Sequence, residues 1–370
     1  MAQKMTTNFS DFLKEIRLTE NQLSELKSAH ETLRRRLKED EDLSPYIIGT
    51  FLQGSYKRST AVRPKNGNRS DVDIIIVTNI DKTNVTPEEA LEKFKPFLEK
   101  YYPGKFQKQG RSWGIEMSKV DLDIVPTSAP SEIVKEAIEN KFITSDFDIE
   151  YETKDESYKS YGYVQKSSLN ESFAIFEKSS NDTVWKDEPL FIPDKEADSW
   201  DKTHPLEQIR WTINKNRDCN THYVNVVKAL KWWRKEKYPE VKHPKSYPLE
   251  HFIGDCCPDG IESVAEGITL TLEKIVNYYN KKPFLSDRGV PEHDVFGRLK
   301  TSDYDEFYTT VRDAAQIARN AYDAGTVEEA STEWRKLFGN KFPEPPKCNS
   351  SNHFTERKED SRNIGGGRFA

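Results

Sequence analysis

Residues 71–80 read DVDIIIVTNI, a nearly unbroken Ile and Val run with acids at its opening. A strand apolar on both faces must be covered on both faces, so the run predicts a buried strand of a sheet flanked by helices. It also carries a chemical problem at its mouth. Side chains alternate along a strand, so Asp71 and Asp73 share one face while Val72 takes the other. Two carboxylates that close repel, and one takes up a proton unless a cation lies between them. Oxygen donors of this kind suit Mg²⁺ or Mn²⁺, which bind through a few carboxylates together with substrate phosphates.

The flanking sequence has the same logic. YIIGTFLQ (46–53) reads as another strand, ended by Gly54-Ser55. Glycine lets the backbone approach a ligand closely, and Ser55 offers a hydroxyl just ahead of a short helix start, where free N–H groups attract phosphate. Lys57, Arg58, Arg63, Lys65 and Arg69 then follow with no acid among them before Asp71. Further on, GRSWGIEMS and KVDLDIVPT read as a strand pair, stopped by Pro126. Its Asp121 and Asp123 share a face, and each is a candidate for the third carboxylate of a two-metal site. In this reading the acids hold metal, the metal holds phosphate, and the Gly-Ser turn holds the far phosphates.

Around this kernel the chain divides. Apolar residues from Phe12 to Leu37 recur at helical spacing, which predicts a long amphipathic helix over 8–37. TPEEALEKFKPFLEKYY (86–102) opens on a Thr cap with acids in its first turn and reads as a helix. Residues 145–200 are polar and dotted with aromatics, with an extended piece at DEPLFIPDKE. From His204 onward the patterns are successively helical. The expected organisation is an α+β unit over 1–203, a helical lobe over 204–342, and a flexible tail over 343–370, where Pro, Ser and Gly leave no core to bury.

Composition narrows the function classes. No window approaches the roughly eighteen apolar residues of a membrane span. The opening MAQKMTTNFSDFLKE has no apolar signal-peptide core, and the four cysteines fit no disulfide framework, so a reducing, cytoplasmic setting is expected. The net charge of −6 argues against a long nucleic acid as partner and for small anionic substrates met by a local positive patch.

The order Gly-Ser, spacer, Asp-x-Asp, then a further Asp on a strand resembles the polymerase-β-like nucleotidyltransferase superfamily. The sequence is most similar to its template-independent branch, which includes oligoadenylate synthetase, cyclic GMP-AMP synthase and the bacterial cGAS/DncV-like nucleotidyltransferases (CD-NTases) of anti-phage signalling. LDIVPT resembles the branch's Asp-x-(Leu/Val)-Pro element, which makes Asp123 rather than Asp121 the third ligand. VVKALKWWRKEKY resembles the helix whose lysine reaches the donor triphosphate, with Lys231 at the matching position. PKSYPLEHFI resembles the Ser-Tyr that opens the next helix, where Ser246 meets phosphate and Tyr247 stacks on a base. FLSDRGVPEHDVFGRL resembles the late loop of oligoadenylate synthetases, although Arg replaces Pro after Asp287. The resemblance spans roughly 10–340, and the spacer from Ser55 to Asp71 is somewhat long for the general motif.

The resemblance implies a polymerase-β-like core, a mixed sheet flanked by helices, with a C-terminal helical lobe. It implies two Mg²⁺ or Mn²⁺ ions bridged by Asp71 and Asp73, with Asp123 on the ion that acidifies the attacking hydroxyl. Gly54, Ser55, Lys231 and Ser246 would bind nucleotide phosphates, and ATP is the expected substrate among the nucleoside triphosphates. The activity implied is joining of triphosphates into a cyclic di- or trinucleotide messenger. The alternatives are a linear oligoadenylate or RNA-tailing enzyme, and a nucleotide-binding module without activity. His251, Cys256 and Cys257 invite comparison with a zinc-binding insertion, but no matching third cysteine follows, and buried thiols are the simpler expectation. The terminal NIGGGRFA is a candidate for conjugation to, or regulation by, a partner protein.

Overall fold

A computed structural model describes residues 5–65, 67–128, 131–132, 188–240 and 243–345. The part of 145–200 before residue 188, Cys348 and all but the first three residues of the 343–370 tail lie outside the described residues. The central strand is β2 (Ser70–Thr78), antiparallel to β1 (Ile47–Gln53) and parallel to β5 (Val120–Ser128). β4 (Trp113–Glu116) and β3 (Phe106–Lys108) continue the sheet antiparallel beyond β5. Near its end β5 also pairs with β6 (Leu190–Asp194), itself paired with β7 (Ser199–Thr203).

The Ile-Val run divides its burial by strand parity. Val72, Ile74 and Ile76 face one core with Leu26, Leu33 and Leu37 of a covering helix, whereas Ile75 and Val77 face a second with Phe51, Val125 and Leu190. All five are fully buried, as the unbroken apolar pattern requires. Pro126 was expected to stop β5, yet the strand runs through it to Ser128. β4 leaves that edge at Ile124 and β6 joins it only at Ser128, so a residue without an N–H falls where that edge has no neighbour.

The helix expected over 8–37 is two helices, α1 (Thr6–Ile16) and α2 (Glu20–Glu39). Thr19 ends the continuity. Its hydroxyl accepts from the Gln22 amide and its own amide donates to the Gln22 side chain, a capping box that starts a new helix. The break lets two apolar stripes face two cores. α2 covers the sheet with α4 (Pro87–Glu92) and α5 (Lys95–Tyr101). α1 instead packs Phe9, Phe12, Leu13 and Ile16 into the helical core.

That core is built by α6 (Pro205–Asp218), α7 (Tyr223–Lys237), α8 (Ser246–Cys256), α9 (Val264–Tyr278), α10 (Thr301–Asp323) and α11 (Val327–Phe338). A hairpin of β8 (Ser286–Asp287) and β9 (Val290–Asp294) stands between α9 and α10. α11 is not among the helices read from sequence, although its Thr326–Glu329 capping box marks its start. A short helix, α3 (Gly54–Lys57), connects β1 to the loop before β2. The fully buried Asp194 at the end of β6 accepts from Arg111 at 2.8 Å and pairs with Arg298, tying the sheet to the segment between β9 and α10. Among the described residues no helix is long and apolar enough to cross a membrane.

Phe12 is the test of α1's allegiance. It exposes nothing, stacks on Phe338 at 4.5 Å between ring centroids and lies 5.6 Å from Phe342. Phe12→Ala should therefore cost about 3–5 kcal/mol, read as a lowered urea midpoint with unchanged slope, and should loosen α10 and α11 in amide exchange more than β2.

Candidate active site

The parallel register of β2 and β5 pairs Asp71 with Asp121 and Asp73 with Asp123. One carboxylate oxygen from each of Asp71, Asp73 and Asp123 lies within 4.8 Å of the other two, the only such group among the described residues. Asp121 is diverted: it accepts from Arg69 at 2.5 Å, and Arg69 also bonds Glu116. Of the two candidates left open by strand parity, Asp123 is the one grouped with Asp71 and Asp73, while Asp121 pairs with the arginine that precedes β2.

The triad is under electrostatic load. Asp71 reaches solvent at the cleft rim, but the protein behind its carboxyl, and then Asp73 and Asp123, push its pKa up to about 8. Burial and then Asp73 push Asp123 up to about 6. Asp73 is also raised, chiefly by burial, with Arg58 and Lys231 opposing. Three oxygen donors within 4.8 Å of one another, their charged forms disfavoured by burial and, for Asp71 and Asp123, then by neighbouring carboxylates, suit a divalent cation, which would displace any proton held there.

Gly54, read from the sequence, and Gln109 with Gly114, which the sequence did not single out, fix the carboxylates. Gly54 has φ +74, and a Cβ on it would overlap Asp73 Oδ2, because β1 pairs Gln53 with Asp73 and brings the turn against that side chain. Gln109 donates to Asp123 Oδ1 at 3.0 Å while accepting from Ser112 at 3.0 Å. Gly114 lets this pair lie flat, since a Cβ there would sit 2.6 Å from Gln109 Nε2 and 3.2 Å from Asp123 Oδ1.

The nucleotide-binding candidates come from several elements. Ser55 lies in α3, with its carbonyl held by the amides of Thr60 at 2.9 Å and Ala61 at 3.1 Å. Lys231, on α7, is buried with its Nζ 3.7 Å from Glu250 Oε2. Burial lowers its pKa, against the pull of Glu250 and Asp71. Ser246 is exposed as the first residue of α8. Tyr247 is half-buried, its hydroxyl donating to Asp287 of β8 and the Arg58 guanidinium lying 5.2 Å from its ring centre.

One turn beyond Lys231, the exposed Lys235 also feels Asp71. Burial, Lys231 and Arg234 lower its pKa to about 8. Sequence reasoning passed over it because the whole end of α7 is basic.

The cations between Ser55 and Asp71 looked uncompensated, but most have partners distant in sequence. Arg58 binds Glu250 at 2.6 Å, Lys65 pairs with Glu236, and Arg69 takes Asp121 and Glu116. Arg63 donates to the Arg17 and Lys14 carbonyls at 3.0 and 3.1 Å. The cysteines match the expectation of buried thiols. Cys219, set apart from Cys256–Cys257 by its position, ends α6 with its thiol against Cys257 and 3.4 Å from the Pro258 carbonyl. All three thiols are free and buried.

Residues 3–144 match the family described as the Second Messenger Oligonucleotide or Dinucleotide Synthetase (SMODS) domain. The chain is 42% identical to a cyclic AMP-AMP-GMP synthase of Enterobacter hormaechei, across 99% of this chain and 100% of that protein. It is 29% identical to a cyclic AMP-AMP-AMP synthase of an Acinetobacter species, across 94% of this chain and 89% of that one. Its fold superposes on the Vibrio cholerae cyclic AMP-GMP synthase DncV, solved with the linear intermediate 5′ pppA(3′,5′)pG. That match has a TM-score of 0.62 at 13% identity, over 90% of this chain and 93% of that chain.

The protonation of the triad sets a pH test. Free carboxyls titrate near about 3.9 in an unfolded chain. Asp71 at about 8 and Asp123 at about 6 therefore hold protons that the unfolded chain releases. These groups lower metal-free stability as pH rises from about 4 to about 8. Mg²⁺ must displace the protons, so its gain in melting temperature should grow between about pH 5 and about pH 8. In Asp71→Asn both slopes should flatten; a magnesium gain independent of pH would contradict this account of the site.

Proposed function

Because the chain belongs to the bacterial cGAS/DncV-like nucleotidyltransferases, we propose that it joins nucleoside triphosphates into a cyclic trinucleotide, with ATP as a principal substrate. The polymerase-β-like core and cyclic oligonucleotide synthesis come with the family. The finer reading, a three-membered ring containing adenosine, is supported by full-length similarity to synthases named for AMP-AMP-GMP and AMP-AMP-AMP products. The observation that carries the chemistry is the convergence of one carboxylate oxygen each from Asp71, Asp73 and Asp123 within 4.8 Å of one another.

The triad's donor set fits Mg²⁺ or Mn²⁺, and two such ions, when bound, would neutralise the charge that develops on the phosphates. The chain's own groups do the rest. Ser55, Lys231 and Ser246 hold the donor's β- and γ-phosphates, and Gly54 keeps the turn close enough for backbone contact. Tyr247 offers its face to a base, with its hydroxyl anchored on Asp287. As the acceptor's ribose hydroxyl forms its bond to the α-phosphorus, the bond to pyrophosphate breaks. Asp123, pushed up to about 6 by burial and then by Asp73, accepts the hydroxyl proton. Two such transfers build a linear intermediate, and a third closes the ring.

The reading extends to setting and partners. The three buried free thiols agree with a reducing cytoplasm, and we assign the 343–370 end as the segment that a regulatory or conjugating protein would engage.

Incubation with each labelled triphosphate and Mg²⁺, followed by phosphatase and separation, should leave a phosphatase-resistant product whose labelling requires ATP. A phosphatase-sensitive ladder would instead support a linear polymerase. Asp71→Ala, Asp73→Ala and Asp123→Ala should each lower product formation by at least about a hundredfold, the scale for losing one electrostatic group at a reacting centre. Retained activity in any of them would remove that residue from the reaction.

A further inference from the structure

Glu250 is a buried carboxylate, and no step above uses it. Its oxygens gather three groups from two separate segments, the loop after α3 and helix α7. Arg58, just after α3, donates from Nε at 2.6 Å. Thr60 donates its hydroxyl at 2.7 Å. Lys231 of α7 stands 3.7 Å away. Glu250 itself lies on α8, one turn beyond Ser246 and Tyr247.

The distances divide the labour. The Arg58 bond is short and charge-assisted, so that guanidinium is committed. The Lys231 separation is too long for a hydrogen bond, so its ammonium is attracted and steered while its N–H donors stay available. Thr60 extends the chain of contacts: its amide holds the Ser55 carbonyl at 2.9 Å. One carboxylate thus ties together the segments that carry Ser55, Lys231, Ser246 and Tyr247. It also balances charge. Arg58 and Lys231 are both buried and both attracted by Asp73. Without an anion between them, two desolvated cations would turn onto the triad, and the phosphate-binding ammonium would leave its place.

We propose that Glu250 is a positioning residue for the donor triphosphate, acting through Lys231 and across the two lobes. The inference rests on the reading of Lys231 as a phosphate contact given above. It predicts that Glu250→Gln, which keeps shape and removes charge, raises the KM for ATP by about tenfold to a hundredfold, the range for one hydrogen bond to a charged group, with a smaller change in kcat.

A double-mutant cycle supplies the decisive readout. If Glu250 acts through Lys231, the E250Q/K231M protein is no worse than K231M alone. Effects that multiply, or an E250Q protein with wild-type KM beside a defective K231M, overturn the inference while leaving the Lys231 reading intact. A wild-type KM in K231M overturns the Lys231 reading itself. Should E250Q melt below the assay temperature, Glu250→Asp carries the same cycle. It keeps the charge but withdraws it by one methylene, so its KM should lie between those of the wild type and K231M; a folded E250D protein with wild-type KM overturns the proposal.

Discussion

Three carboxylates crowded at one mouth of a sheet repel each other, and much of this structure is arranged to hold them there. The parallel register of β2 and β5 sets Asp73 beside Asp123, and the two-residue period of β2 adds Asp71 on the same face. Nothing in the backbone can relax this crowding without breaking the ladder that buries Val72 through Val77. Burial, and then this repulsion, raise the pKa values of Asp71 and Asp123, and a divalent cation is the simplest ligand that relieves the crowding.

The opposite wall of the cleft answers with positive charge, but not as a bare patch. Arg58 is committed to Glu250, and Lys65 to Glu236 with its ammonium 5.0 Å from the Trp232 ring centre. Lys231 is held loosely by Glu250. Burying cations next to a site that must bind both metal and polyphosphate requires counter-ions that steer without saturating, because an unpaired buried charge costs several kcal/mol. The Arg58–Glu250 and Lys65–Glu236 pairs join the segment between β1 and β2 to α8 and α7, so the order of those helices and the order of the site are linked. α1 adds to this coupling, since it precedes the sheet in the chain yet packs on α11 through Phe12 and Phe338.

The legible part of the site was the part written in short range. Asp71 and Asp73 sit two residues apart on an apolar strand, and Gly54-Ser55 ends the strand that pairs beside them, so alternation and turn chemistry were enough to find them. Asp123 needed more, because Asp121 shares its parity; the family resemblance favoured Asp123, and in the fold Arg69 occupies Asp121. Gln109, Gly114 and Glu250 gave no local signal. Gln109 matters only because β4 returns beside β5, and Glu250 only because α8 meets the loop after α3. The single helix read over 8–37 failed for a related reason. Its apolar spacing survives the break at Thr19, and only the two separate cores show that the stripes diverge.

What the sequence determined by itself is what local periodicity and side-chain chemistry can encode: a buried Ile-Val strand, paired acids at its mouth, a glycine turn beside them, and a run of helices from residue 204 onward. What only the tertiary structure decided is which distant groups answer those acids and cations. Coulomb and hydrogen-bond energies fall off within a few ångströms in space and take no account of separation along the chain. Partners such as Arg58 and Glu250, 192 residues apart, become partners only when the chain folds α8 against the loop after α3.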